Sequence, residues 1–205
     1  PVAARGEVWT VTGAVRLGEP GVLRFRPASV KSKDLIAGWI DHLTLCADES
    51  VSGRETLILG ERGDSAFREV PPDEARAVLQ FLIRGMLLFR QVPPPLFPRA
   101  SYEQAKPQKG AWQKAHAGIV SAEAGGWRPV RVGRSVASDG EEDRPYVQAD
   151  AMKKFDGRYE DFSDVTDPAV ALCYRRREPL RTMAGSFDRW ARMLWGPLLA
   201  HRVDA

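Results

Sequence analysis

Among the residues suited to chemistry in this chain, His42 and Cys46 stand out because they lie four apart, the spacing that places two side chains on one face of a helix. An imidazole and a thiolate would suit zinc, but a closed zinc site takes four ligands. With 3 histidines and 2 cysteines, the chain has no CxxC or HxxxH to supply the other two. No metal site is expected. His42 reads as a buried histidine whose ring nitrogens are satisfied by neighbours. Cys46 and Cys173 read as reduced thiols that pack as small apolar groups. The chain also lacks a GxSxG elbow, a phosphate loop ending in GK[ST] and an HExxH pair.

The cations are better organised. Arg175, Arg176, Arg177, Arg181, Arg189 and Arg192 are accompanied only by Glu178 and Asp188, and Arg128, Arg131 and Arg134 form a second stretch free of acids. Such stretches can meet DNA phosphates or an acidic partner surface without reading sequence. Tyr102 and Trp112 lie beside Arg99, Lys106, Lys109 and Lys114, a mixture able to stack single-stranded bases. Trp195 and Leu199 are expected to be exposed apolar residues at a subunit interface. The net charge of +3 permits nucleic-acid contact without requiring it.

The elements that must position these residues follow from periodicity. Glu7–Leu17 alternates like a strand and Val22–Arg26 reads as its hairpin partner. Ser32 is a candidate N-cap for a helix with Leu35, Ile36, Trp39, Ile40, Leu43 and Cys46 on its apolar face. Strands are expected at Glu55–Leu59 and Ala66–Val70. Pro71-Pro72-Asp73-Glu74 opens a second helix with Ala75, Val78, Leu79, Leu82, Ile83, Met86 and Leu87 facing the core. Leu96-Phe97 reads as a short edge strand. Asp167-Pro168 starts a short helix, and Ser186 is a candidate cap for the last one. The expected fold is mixed α/β, a small central sheet flanked by helices. Residues 1–97 would hold the sheet and two main helices, and 98–205 would be mostly helical with an irregular acidic stretch over 125–160. No apolar run reaches the ~18 residues of a membrane span. No signal segment opens the chain, and the start at Pro1 without Met fits a piece of a longer, cytoplasmic polypeptide.

Three segments together resemble a known family. They are Val11-Thr12-Gly13-Ala14-Val15 with Gly21–Ser29; Leu35–Ala47 with Trp39, His42, Leu43 and Cys46; and Gly85 followed by Pro94-Pro95-Leu96, Pro98 and Ser101. Their order and spacing resemble the C-terminal domain of the exodeoxyribonuclease V gamma chain, RecC, over roughly residues 8–105. The resemblance implies a PD-(D/E)xK nuclease-like fold that is catalytically degenerate. It implies a role in guiding separated DNA strands within a RecBCD-type helicase-nuclease that repairs double-strand breaks by recombination. The implied partners are the beta subunit, with the alpha subunit as a further candidate, and double- and single-stranded DNA. ATP and Mg²⁺ would serve the parent complex, with no cofactor in this domain. One domain of a longer chain is implied for residues 1–205.

Nuclease chemistry of that class needs an Asp at one strand end and an acid-x-Lys on the next, to hold Mg²⁺ and support the transition state. Here Arg16 stands at the expected Asp position, and Pro27 and Ser29 occupy the stretch where the acid and lysine belong. No lysine in the chain has Asp or Glu two residues before it. Gln104-Ala105-Lys106 comes nearest, in a helical stretch. The expectation is a non-catalytic domain. Two alternatives stay open: an active nuclease drawing ligands from Glu55, Glu61 and Asp64, and a free-standing DNA-binding protein.

Overall fold

The computed structural model describes residues 2–4, 7–18, 21–106, 147–156, 163–174 and 179–204. Among these, the chain divides into two compact units, one of residues up to 92 together with 201–204, the other drawn from residues 93–200. Arg128, Arg131, Arg134, Trp112, Arg175, Arg176 and Arg177 lie outside the described residues.

The first unit holds a five-stranded sheet in the order β3-β4-β5-β6-β7, made by Leu17–Gly18, Gly21–Arg26, Glu55–Gly60, Ser65–Phe67 and Arg202–Asp204. β4 and β5 run parallel over six residue pairs, from Gly21↔Glu55 to Arg26↔Gly60. A parallel pair needs a crossover, and helix α1 (Ser32–Ala47) supplies it. The other pairings are antiparallel. The small mixed sheet expected from sequence is present. A separate hairpin joins β1 (Val2–Ala4) to β2 (Glu7–Trp9).

Strand alternation decides which face α1 covers. Val22, Arg24, Thr56, Ile58, Ser65 and Phe67 share one face through the register, and α1 contacts β4, β5 and β6. Leu35, Trp39, Leu43 and Cys46 are at most 3% exposed, as the periodicity requires, whereas Ile40 is 40% exposed and leaves the apolar stripe. Gly38 faces the tip of Ile58: a Cβ there would meet Ile58 Cδ1 at 2.6 Å. Helix α2 (Pro72–Phe89) packs against α1 and β1. It buries Ala75, Val78 and Leu79 but leaves Met86 51% exposed, so the expected core face ends two turns early.

Other boundaries differ for local reasons. The run Glu7–Leu17 is not one strand: only Glu7–Trp9 and Leu17–Gly18 are paired, and Gly13 sits in the unpaired stretch between them. Glycine weakens a strand because it gains nothing from pairing side chains. Ser32 is the first helical residue, with Lys31 at the cap position; Asp34 accepts the Lys31 N–H at 2.9 Å. β6 stops at Phe67, short of Val70.

The second unit is helical. Its described elements are α3 (Pro98–Ala105), α4 (Ala149–Asp156), a 3-10 turn at Asp164–Thr166, α5 (Pro168–Cys173), α6 (Pro179–Thr182) and most of α7 (Ala184–His201). Phe97, Ala100, Ala151, Phe155, Leu180 and Phe187 form its core. Leu96-Phe97 is not a strand; Phe97 is extended but caps α3, with Pro98 pre-set for the first turn. Ser186 does not cap the last helix, which starts at Ala184 behind α6. α4 lies inside the stretch expected to be irregular. Trp195 and Leu199 are fully buried, which overturns their expected place on an exposed interface. Apolar spacing puts Phe187, Trp190, Ala191, Leu194 and Leu198 on the core face of α7; Phe187, Ala191 and Leu198 are fully buried, and the packed side extends to Trp195 and Leu199. Trp195 donates its indole N–H to Ser101 Oγ at 3.0 Å and meets Tyr102 edge-on at 5.0 Å.

α3 shows how this unit is tied together. Its first amides need acceptors, and none is local. The Asp164 carboxylate accepts from Ala100 N at 2.7 Å and from Arg99 N at 3.1 Å. Burial pushes the Asp164 carboxyl above the ordinary range, against the pull of the two amides. Asp164→Ala leaves both amides orphaned and is expected to lower stability by about 2 kcal/mol. Asp164→Asn keeps an acceptor oxygen without a buried charge and is expected to stay within about 1 kcal/mol of the parent. Urea titration of the three proteins at pH 7 checks this, and equal losses for Ala and Asn would contradict the capping role.

Candidate functional site

A buried polar group lies between α1 and the sheet. Helix periodicity points His42 inward, and the ring is fully buried. Its Nε2 lies 2.8 Å from the Arg68 carbonyl, which can only accept, so Nε2 carries the proton. Nδ1 then accepts from Thr56 Oγ1 at 3.0 Å. Desolvation holds this histidine at a pKa of about 4, well below its ordinary value. Cys46 Sγ lies 3.6 Å from Nε2, and burial pushes the thiol up, away from the reactive thiolate. Trp39 stacks between His42 at 5.4 Å and His201 at 5.6 Å, with Phe67 edge-on. His201 Nε2 faces Glu74 Oε1 at 3.3 Å. A neutral, saturated imidazole away from solvent makes a structural pin. His42 is the satisfied core histidine that its helix position implied.

The face of β4 toward α1 carries two further pairs that sequence reasoning did not find. Arg24 meets Asp41 at 2.6 Å and Arg26 meets Asp34 at 2.5 Å. The signal was available: arginines two apart on a strand point to one face, and aspartates seven apart lie two turns along one side of a helix. These carboxylates, the ones on α1 that face the sheet, are engaged by guanidinium groups.

The sequence-marked positions fall as follows. Arg16 is exposed and precedes Leu17, whose partner is Val22. Pro27 is exposed and Ser29 half-buried, both past the far end of β4. Five residues of extended chain separate Val22 from Pro27, roughly 16 Å, so the structure does not gather Arg16, Pro27 and Ser29 at one point. Tyr102 is half-buried against Trp195, with Lys106 Nζ 5.8 Å from its ring centre. Gln104, of the near-motif Gln104-Ala105-Lys106, is a buried structural residue: it donates to Asp188 at 2.7 Å and accepts from Gln148 N at 2.8 Å. Asp188 also binds Arg192 at 2.8 Å, which removes one cation from the late basic stretch.

The alternative metal ligands do not converge. Glu55 opens β5 and Glu61 follows its end, a span of roughly 20 Å of strand. Asp64 Oδ1 accepts from Gly60 N at 2.9 Å and closes the turn. Among the described residues, no three His, Cys, Asp or Glu side chains are grouped to hold a metal ion. An open depression lined by Val51, Ser52, Gly53, Arg54, Glu55 and Glu69 contains an arginine already committed to Glu69 and to the carbonyls of Val51 and Asp48.

The fold is thus mixed α/β, and His42, Asp164, Gln104 and the two arginine–aspartate pairs act as structural ties. Residues 2–109, more than half of the chain, match the family described as the RecC C-terminal domain, and the chain belongs to that family. Membership associates it with the RecBCD complex and with DNA repair and recombination. No curated protein matches the chain. Among the described residues, no helix is long and apolar enough to cross a membrane.

Proposed function

We propose that this domain is a non-catalytic scaffold of a RecBCD-type ATP-dependent helicase-nuclease, holding neighbouring subunits and guiding separated DNA strands. Its fold is then a PD-(D/E)xK nuclease-like core that has lost its metal ligands, and the beta subunit is its first partner. Two features support that lineage: a mixed sheet with one parallel pair, and a helical crossover between those strands. The observation that carries the reading is the fate of the acids beside the sheet. Asp34 and Asp41 are bound by Arg26 and Arg24, and Asp64 by a turn amide. A carboxylate spent on a guanidinium loses the free charge that attracts a divalent cation. The domain itself then takes no cofactor, while ATP and Mg²⁺ serve the parent complex. Its contacts to DNA would fall to Arg128, Arg131, Arg134, Arg175, Arg176, Arg177, Tyr102 and Trp112, as phosphate and stacking contacts.

The full-length gamma chain, purified without partners, is expected to leave single-stranded DNA uncut in Mg²⁺ or Mn²⁺. The assembled complex is expected to keep its nuclease rate when Glu55, Glu61 and Asp64 are replaced together by Gln, Gln and Asn. Chelator-sensitive cutting by the lone chain, abolished by that triple replacement, would establish an active nuclease in its place.

A further inference from the structure

β4 has two features that no described part of the chain uses. The first is its outer edge. All six residues pair with β5 on the inner side, but β3 reaches only Gly21 and Val22 on the outer side. Leu23–Phe25 therefore direct alternate backbone N–H and C=O groups toward an edge that no described strand occupies, while the Arg26 carbonyl accepts from Ala28 N at 2.7 Å. The second is its outward face, where Leu23 is 51% and Phe25 75% exposed. Open edges are usually blunted by charge, proline, a bulge or a cover. Here the charges are neutralised: Arg24 and Arg26 point to the opposite face and are bound to Asp41 and Asp34.

We propose that β4 is a docking edge for an extended strand of a partner chain, one with apolar side chains at the alternate positions beside Leu23 and Phe25. Unused backbone groups in register with an apolar row fit a polypeptide strand: the ladder gives attachment and the cross-strand pairs give selectivity. A helix has already spent its amides internally, and a nucleic acid offers no matching ladder. The stretch 11–16 leads directly into β3 yet stays out of the ladder. Gly13 in its middle disfavours strand. The proposal deepens the scaffold reading and rests on it, because the incoming strand belongs to a neighbouring subunit.

Hydrogen–deuterium exchange on the full-length gamma chain, alone and in the assembled complex, tests this. The outward amides of Leu23–Phe25 are expected to exchange rapidly in the lone chain and at least tenfold more slowly in the complex. The double variant Leu23→Lys, Phe25→Lys changes two solvent-exposed side chains and is expected to weaken subunit assembly at least tenfold. Strong protection of these amides in the lone chain would overturn the proposal, because the chain would then cover its own edge. So would protection that grows with the concentration of the lone chain, which marks a second copy, or protection induced by single-stranded DNA alone. Protection elsewhere on the domain but not at β4 would end the docking edge and leave the scaffold standing. No protection anywhere on the domain would end both.

Discussion

Gly21→Ala is expected to destabilise the sheet-bearing unit by about 3 kcal/mol, a large fraction of the stability of an ordinary domain. Gly21 has φ 138°, where an L side chain is strained, and an added Cβ would sit 2.1 Å from the Glu55 carbonyl oxygen and 2.9 Å from Glu55 N and Gly53 O. These are backbone atoms of the neighbouring strand and of the loop that leads into it, and they cannot swing aside. Gly21↔Glu55 is the first rung of the β4–β5 ladder, so that rung must open. Gly38→Ala is the matched control. Its contact, Ile58 Cδ1, is the tip of a side chain that can rotate, and alanine favours a helix by up to about 1 kcal/mol. Urea midpoints are expected to fall sharply for the first variant and hardly at all for the second. Equal shifts would contradict this account of Gly21.

Acidification should produce the second large effect, through His42. An unfolded histidine titrates near 6.5, and the buried ring at about 4. Above about pH 7 the ring is neutral in both states, and this contribution to stability is complete. As pH falls through 6.5 the unfolded chain takes up the proton and the folded chain does not. Stability is lost across the window down to about pH 4, by about 3 kcal/mol in all. His42→Gln cannot titrate, and its amide can still donate to the Arg68 carbonyl. The variant is expected to start less stable at pH 7 and to lose about 3 kcal/mol less than the parent between pH 7 and pH 4. Parallel stability–pH curves for the two proteins would sink the assignment.

The contrast between His42 and its partners shows what sequence could and could not reveal. The helix of residues 32–47 was legible because its apolar spacing is local, and that spacing also placed His42 on the core face. Thr56 and Arg68, which complete its hydrogen bonds, lie on later segments, 14 and 26 positions away. Nothing in local periodicity specifies them. The cap on α3 is more remote still, since Asp164 sits 64 positions from Ala100. Glu7–Leu17 misled for the opposite reason. Its alternation is a real strand signal, but whether a strand forms depends on a partner edge and on Gly13. Arg202–Asp204 carries almost no pattern, and it becomes a strand only through its pairing with β6. For the candidate site, the missing acid-x-Lys was plain in the sequence. The spacing that sets Asp34 and Asp41 on one side of the helix was in the sequence too, but which arginines they pair with was fixed only once helix and strand faced each other.

That last strand also sets a timetable for synthesis. Phe67 of β6 finds its partner Arg202 only after roughly 135 further residues have been made. At an ordinary pace of translation this is roughly ten seconds. Throughout that interval the β6 side of the nascent sheet stays unpaired. The chain is therefore most vulnerable to mispairing while it is being translated, and slow codons between these two segments would lengthen its dependence on chaperones.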